Sequence, residues 1–482
     1  MAHMGFQRNF PPLKILTEQQ LDEIHRSMLR VLEETGLKIE HEKALKLLKE
    51  SGCKVDFDTN RVKFPPWLVE ECLGKCPRSF RVKARNPKND VILGGDTLYF
   101  STNTGMNTVD LDTWEPRRPT RKEFYDALII IDALDNPQMT QNYYPWFGWE
   151  GLPPVMGIPE AFAARVRNTS KPLGMGHSNN SEIFTIEMAK AVGAEPMSSS
   201  SPSPPLTCYG EAIEALYRGL EADFPFRFSS GETMGATSPA TIAGTVTTSN
   251  AMIIGRIVLA QLIKPGARIV VVPWSFPQNM CSGLIAFGSI EQSLHHAAAN
   301  QYWGRIGIPI GNQCGFVNSK SIDFQCSYER AMMAVIAALS GANVIHLGGA
   351  LYGELTLHPL QMILDDDIAN MVGRFVEGVE VNDETLAVDL INEVGPIPGM
   401  YLDKAHTRKW WKKEGFIPKA SDRLGIAEWM EKGKKNALDY AEERMEHILA
   451  THKPDPLTPK QEEDIERILK DCWGFYRKKD ML

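Results

Sequence analysis

The stretch "TIAGTVTTSNAMIIGRIVLAQLIKPGARIVVVPW", Thr241 to Trp274, decides the fold. Its first part reads as a long helix with no polar face, the pattern of a helix buried all round. Pro265-Gly266 closes it, and the chain runs at once into a short apolar, β-branched strand. The same unit, a short apolar strand ending in polar or glycine residues and then a helical stretch, recurs from about Thr120 to Gly395. The strand candidates are "MTQNYY" (139–144), "KPLGMGH" (171–177), "PPLTCYG" (204–210), "PFRFSSGE" (225–232), "ARIVVVPWS" (267–275), "IPIGNQCG" (308–315) and "NVIHLGG" (343–349). An eighth falls near Val379 to Leu386, so the spacing predicts an α/β fold of the (β/α)8 TIM-barrel type more than an open sheet.

Outward from this core, residues 6–118 read as an N-terminal α+β cap, 119–395 as the barrel and 396–482 as a charged, helical C-terminal arm packed on the barrel or on another subunit. In the cap, Thr17 with Gln20 forms a capping-box pattern that opens a helix ending at Gly36. A second helix covers about Glu42 to Glu50, and "VDFDTNRVKF" alternates on both sides of a turn like a hairpin. "DTLYFSTNTGMNTVDLDT" (96–113) reads as a further strand pair. The leading "MAHMG" reads as a cloning scar and is set aside from the fold.

The 482 residues are 43% apolar and 23% charged, with a formal charge of -8, which argues against a nucleic-acid or anionic-membrane surface. The eight cysteines form no C-x-x-C pair, as expected of reduced cytoplasmic thiols. No membrane span and no secretory leader is expected. Dinucleotide, P-loop, H-E-x-x-H, zinc and G-x-S-x-G signatures are absent, so phosphate cofactors and zinc activation are not expected.

A barrel places its site at the C-terminal ends of its strands. That rule selects Asn142, Tyr143, Tyr144, His177, Cys208, Tyr209, Glu232, Trp274, Phe276, Asn312, Gln313 and His346, with Tyr352 and Glu354 in the following loop and Tyr99 and Phe100 in the earlier strand pair. "NYYPWFGW" (142–149) adds Trp146 and Trp149. These rings could cage a quaternary ammonium, whose diffuse charge favours ring faces. They could equally pack as a lid or a subunit contact. His295 and His296, in the helical "SLHHAAAN", read as structural. Glu232 is either an acid or cation partner, or a carboxylate stabilised at a helix N-terminus.

Four separated stretches carry a family resemblance. They are "LTEQQLDEIHRSMLRVLEETGLKIEHEKALKLLKESGCKVD" (16–56), "ATSPATIAGTVTTSNAMIIGRIVLAQLIKPGARIVV" (236–271), "NSKSIDFQCSYERAMMAVIAALSGANVIHLGGALYGELTLHPLQMILDDDIANMVGRF" (318–375) and "HTRKWWKKEGFIPKASDR" (406–423). In this order they resemble the trimethylamine methyltransferase (MttB-like) superfamily. The resemblance implies a barrel that moves a methyl group from a methylated amine to the Co(I) corrinoid of a cognate carrier protein. Cobalamin would then arrive on the partner, with no cofactor held tightly here, consistent with the lack of a D-x-H-x-x-G motif.

Founding members carry pyrrolysine and use trimethylamine, whereas this sequence holds only standard residues. Non-pyrrolysine relatives act on quaternary amines such as glycine betaine, proline betaine or carnitine. A betaine carboxylate would need donors such as His346, His177, Asn312, Gln313 or Arg227. Tertiary-amine demethylation and a non-catalytic betaine-binding protein stay open as alternatives, and a cytoplasmic homo-oligomer is the expected state.

Overall fold

The computed structural model describes residues 5–482 and has a mixed α/β fold. Most of the "MAHMG" segment therefore lies outside the described residues. The helix Ile242–Ile263 is capped by Thr241, ends at Lys264 and feeds the strand Ile269–Val272. It is long and apolar enough to cross a membrane, which the composition reading did not anticipate, yet it is mostly buried inside the protein. The cap helices Glu18–Arg30, Glu42–Glu50 and Pro66–Gly74 share its apolar cluster. Gly255 permits this approach, because a Cβ there would sit 2.2 Å from Leu37 Cδ1.

Parallel pairings run from segment to segment. Gly174–Met175 pairs with Met197–Ser199, which pairs with Phe226–Ser229, which pairs with Ile269–Val272. Val271 bridges to Ile310, Gly311–Gln313 pairs with Val344–His346, and that strand pairs with Thr97–Ser101. Ser101 then bridges to Met139, and the Thr140 amide donates to the Pro172 carbonyl at 2.9 Å, which returns the sequence of pairings to Gly174. The antiparallel hairpin Ser79–Val82 with Val91–Gly94 covers the N-terminal end of this ring. It packs Phe80, Val82, Val91 and Leu93 against Tyr99, Met139, Met197, Val270 and Val344.

Three expectations are corrected. The Val379–Leu386 region is exposed and holds the short helix Asp383–Leu386; the eighth segment is Thr97–Ser101, within the residues assigned to the cap. Thr97–Ser101 does not pair with the strand that follows it, because Thr108–Val109 pairs with Pro116–Arg117. In "PPLTCYG", Thr207–Cys208 pairs with Leu37–Ile39 of the cap, and the ring takes Met197–Ser199 instead. The Lys54–Asp56 and Arg61–Lys63 hairpin and the Thr17–Gln20 capping box are present. The last two helices pack on this chain: Ala437–Thr451 through Arg444 to Asp366 at 2.8 Å, and Pro459–Lys478 through Ile465, Ile468, Cys472 and Tyr476.

His295 and His296 are wholly buried in the helix Ile290–Ile306, and burial depresses them to about 3 and about 4. His358, at the start of Pro359–Val376, is depressed to about 4, also by burial. Unfolding lets these rings take up protons near their ordinary value of about 6.5. Their contribution is therefore complete above about pH 6.5 and is lost as pH falls toward the folded values. The urea midpoint should drop between pH 7.5 and 4.5, and a His295→Gln, His296→Gln double variant should show a shallower drop; an unchanged slope would refute this assignment.

Candidate functional site

Period-two alternation sorts the strand side chains between an outer shell and the ring interior. Phe226 and Phe228 join the apolar shell with the Ile242–Ile263 helix, so Arg227 between them faces inward. Ile345 joins the shell with Leu98 and Phe100, leaving Val344 and His346 on the inner side.

At mid-height the interior turns polar around Gln141. Arg227 Nη1 donates to Gln141 Oε1, and Gln141 Nε2 lies 2.9 Å from His346 Nδ1. The amide oxygen is taken by the guanidinium, so its NH2 donates to Nδ1, and the proton of the neutral imidazole sits on Nε2. Burial, reinforced by Arg227, holds His346 well below the usual histidine range. Burial also lowers Arg227 to about 10. Arg165, lowered to about 9 by burial, fixes the neighbouring backbone by donating to the Gln141 carbonyl at 2.7 Å and the Gly174 carbonyl at 2.8 Å. Beside His346 the wall is kept flat by Gly311, where a Cβ would lie 3.0 Å from Val272 Cγ2 and 3.4 Å from His346 Nε2.

Toward the C-terminal ends the lining becomes aromatic. Trp274 meets Phe276 at 5.3 Å and Phe316 at 5.6 Å between ring centroids, and Phe287 closes the group at 5.0 Å from Phe276. The Trp274 backbone is anchored both ways by Ser230: its N–H donates to Oγ at 2.8 Å, and its carbonyl accepts from Oγ at 2.9 Å. Beneath this turn Glu232 Oε2 accepts from Ser275 Oγ and from the Gly231 amide, both at 3.1 Å. Its Oε1 is buried without a partner, and burial pushes the carboxyl upward. Tyr143 stacks on Phe147 at 4.5 Å, and its hydroxyl donates to the His177 carbonyl at 3.4 Å. Both ring nitrogens of His177 are buried without partners, and burial lowers its pKa.

The aromatic peptide therefore divides. Tyr143 and Phe147 lie with His177 at the strand ends. Tyr144 and Trp146 are fully buried in a shell cluster with Phe124, Leu128 and Ile363. Their polar atoms are occupied there, Tyr144 OH donating to the Ala127 carbonyl and Trp146 Nε1 to the Asn107 carbonyl, both at 2.9 Å. Trp149 packs on Phe124 at 5.0 Å, with the Arg121 guanidinium 5.7 Å from its ring. These three rings do not face the interior.

Tyr99 belongs to the apolar floor, where its hydroxyl accepts from the Ile92 amide at 3.3 Å, and Phe100 points outward onto Phe6 at 5.9 Å. Asn312 also points outward, its Oδ1 accepting from Asn300 Nδ2 at 2.7 Å. Gln313, one residue on, has a buried Oε1 without a partner. Cys208 is buried beside the cap, and Tyr209 is exposed. Tyr352 adopts a φ of 48° at the rim, with Lys320 Nζ 4.8 Å from its ring. Asn142 is buried and donates to Ser199 Oγ at 2.8 Å.

Gln141, Arg165, Phe147, Phe287 and Phe316 were not singled out from sequence. Gln141 was within reach of the alternation rule, since it is two residues from Met139; nothing in the sequence separates Phe287 or Phe316 from ordinary core rings. A cavity of about 570 Å³ lined by Arg8, Arg78, Gln301, Arg305 and Asn343 lies at the opposite, N-terminal end of the strands. It shares no residue with this cluster.

Gln141, His346, Arg227 and Arg165 thus form a polar cluster toward the strand ends, with Tyr143 close enough for both guanidiniums to act on its hydroxyl. The profile of the trimethylamine methyltransferase (MTTB) family matches residues 2–144 and 182–471, and the chain belongs to that family of methyltransferases. It is 32% identical over 438 residues to the trimethylamine methyltransferase MttB of Desulfitobacterium hafniense (strain DSM 10664 / DCB-2), covering 87% of this chain and 86% of that one. It is 29% identical over 470 residues to the glycine betaine methyltransferase of Desulfitobacterium hafniense (strain Y51), covering 95% and 97%. The crystal structure of the Methanosarcina barkeri monomethylamine methyltransferase (MtmB) overlays at 14% identity with a TM-score of 0.48, covering 94% of this chain and 92% of that one.

Proposed function

We propose that this protein is a cytoplasmic methyltransferase, built on a (β/α)8 barrel, that moves a methyl group from a quaternary amine to the Co(I) corrinoid of a separate carrier protein. The barrel reading is supported by the parallel pairings that return to their starting segment. The quaternary-amine reading is carried by one observation: two groups of rings, Trp274 with Phe276 and Phe316, and Tyr143 with Phe147, lie at the strand ends near His346, which burial holds well below the usual histidine range. A fixed ammonium charge gains about 0.5 to 2 kcal/mol per good ring contact once water is excluded.

The chemistry asks little else of the protein. As the methyl carbon leaves, the C–N bonding pair stays on nitrogen, which departs as a neutral tertiary amine and needs no proton. Positive charge on nitrogen fades along this path, so a few rings serve better than a closed anionic cage, which would stabilise the ground state. The residues' task is to exclude water and hold one methyl toward the opening. The Co(I) corrinoid supplies the nucleophile that takes the methyl. The strand-end face offers exposed apolar side chains for a macrocycle to rest on: Met106, Phe147, Met280, Leu284 and Leu355.

Incubation with a Co(I) carrier and glycine betaine, proline betaine or carnitine, followed by cobalt absorbance, should show methylation with at least one of them. The 32% identity to a trimethylamine methyltransferase supports a second reading, tertiary-amine demethylation. Turnover of trimethylamine alone in this assay would select that reading and overturn the first.

A further inference from the structure

We propose that the outer face of the helix Phe324–Leu339, with the adjoining faces of Ile290–Ile306 and Pro359–Val376, is where a second copy of this chain docks across a twofold axis. The inference holds whichever amine the protein demethylates.

A helix on the outside of a fold ordinarily turns its charged residues to water. This one does not. Its sequence, "FQCSYERAMMAVIAAL", holds two charged residues, Glu329 and Arg330, and both are buried. Glu329 accepts from the Asn318 amide at 3.2 Å and from Gln325 Nε2 at 2.8 Å, and Arg330 is spent on Asp365 at 3.0 Å. Outward, at one-turn spacing, stand Phe324, which is 83% exposed, and the half-exposed Tyr328 and Met332. Phe324 and Tyr328 meet at 5.3 Å between ring centroids. The helices packed on either side continue the surface, Ile290–Ile306 with Ile290 and Leu294, and Pro359–Val376 with Met371 and Phe375.

These seven side chains are 43% to 83% exposed, which at ~150 to 200 Å² for a large apolar side chain leaves roughly 600 to 700 Å² bare. The largest apolar patch on an ordinary monomer is about 300 to 600 Å². A stable interface takes about 800 Å² from each partner, so this face supplies most of one in apolar side chains alone. The absence of exposed charge on Phe324–Leu339 says which partner fits. A twofold axis lays a face against its own copy, and an uncharged face meets itself without like-charge repulsion. A carrier protein that arrives and leaves at each turnover calls for a more polar contact; faces this apolar belong to permanent interfaces between like subunits.

The test is sedimentation velocity of the full chain, without carrier, at micromolar concentration. Wild type should sediment at an even multiple of the 53.9 kDa chain mass. Tyr328→Glu and Met332→Glu should each halve that mass, weakening self-association by more than about 100-fold, because a twofold interface would bury two uncompensated carboxylates. Ile397→Glu, at an almost fully exposed apolar residue away from this face, should leave the mass unchanged. Circular dichroism checks that each variant is folded, and if either of the first two is not, Phe324→Glu at the most exposed position decides.

A monomeric wild type overturns the proposal, as do folded face variants that keep the wild-type mass, or dissociation by Ile397→Glu alone. A monomeric wild type whose Tyr328→Glu variant loses methyl transfer to the carrier would assign the face to the carrier instead, and would overturn it equally.

Discussion

Asp365→Ala should lower the unfolding free energy by about 3 to 5 kcal/mol, the cost of stranding a buried charge. Arg330 and Asp365 are almost wholly buried and meet at 3.0 Å. Asp365 Oδ2 also accepts from the Gly349 amide, and Oδ1 from Gln361 Nε2, both at 2.8 Å. Arg330 has Nε on Cys326 Sγ at 3.2 Å and Nη2 without a partner, so alanine at 365 leaves its charge with no counterion. Gly349 lies three residues after His346, so the same change releases the loop that leads from the pocket floor to Glu354. Denaturant midpoints measure the effect. An Arg330→Met, Asp365→Leu pair should recover most of the loss by removing both charges. A single-variant loss below about 1 kcal/mol would mean that the pair holds nothing together.

Gly176→Ala should reduce kcat/KM for the amine by about 100-fold, the scale set by an ångström of misplacement at a reacting centre. A Cβ at this position would stand 2.1 Å from Tyr143 Cε1 and 2.3 Å from Cζ, so the ring must leave its stack on Phe147. Trp149→Ala is the contrasting case. That ring contacts Phe124 and Tyr125 on the outer side, and its loss should weaken packing while leaving KM within about threefold. Steady-state methyl transfer on the two variants separates the parts of one aromatic peptide. Equal kinetic loss in both would contradict the division described above.

How far the sequence was legible follows from which interactions are local. The Thr17 cap, the Lys54–Lys63 hairpin and the largely apolar Ile242–Ile263 helix are set by residues close in the chain, and they stand as read. Ring closure is not local. Thr97–Ser101 finds its place beside Val344–His346, nearly 250 residues away, and no pattern within "TLYFS" states that partner. Met197–Ser199 ends in two small polar serines and so reads poorly as a strand, while the better-looking Thr207–Cys208 was claimed by the cap.

At the candidate site, the strand-end rule did not say which way each side chain points. Arg227 was named only as one possible carboxylate donor, and its inward direction shows in the fold, where Phe226 and Phe228 join the apolar shell. In "NYYPWFGW" the backbone leaves the strand, alternation stops, and only the folded chain separates Tyr143 from Tyr144, Trp146 and Trp149.

The most direct measurement is a crystal structure of the protein soaked with glycine betaine. The trimethylammonium group should lie at the C-terminal ends of the strands against Trp274 and Tyr143, with one methyl facing the opening. Density for it in the Arg78 and Arg305 cavity at the opposite end, or beside Tyr144 and Trp149 in the shell, would contradict the account.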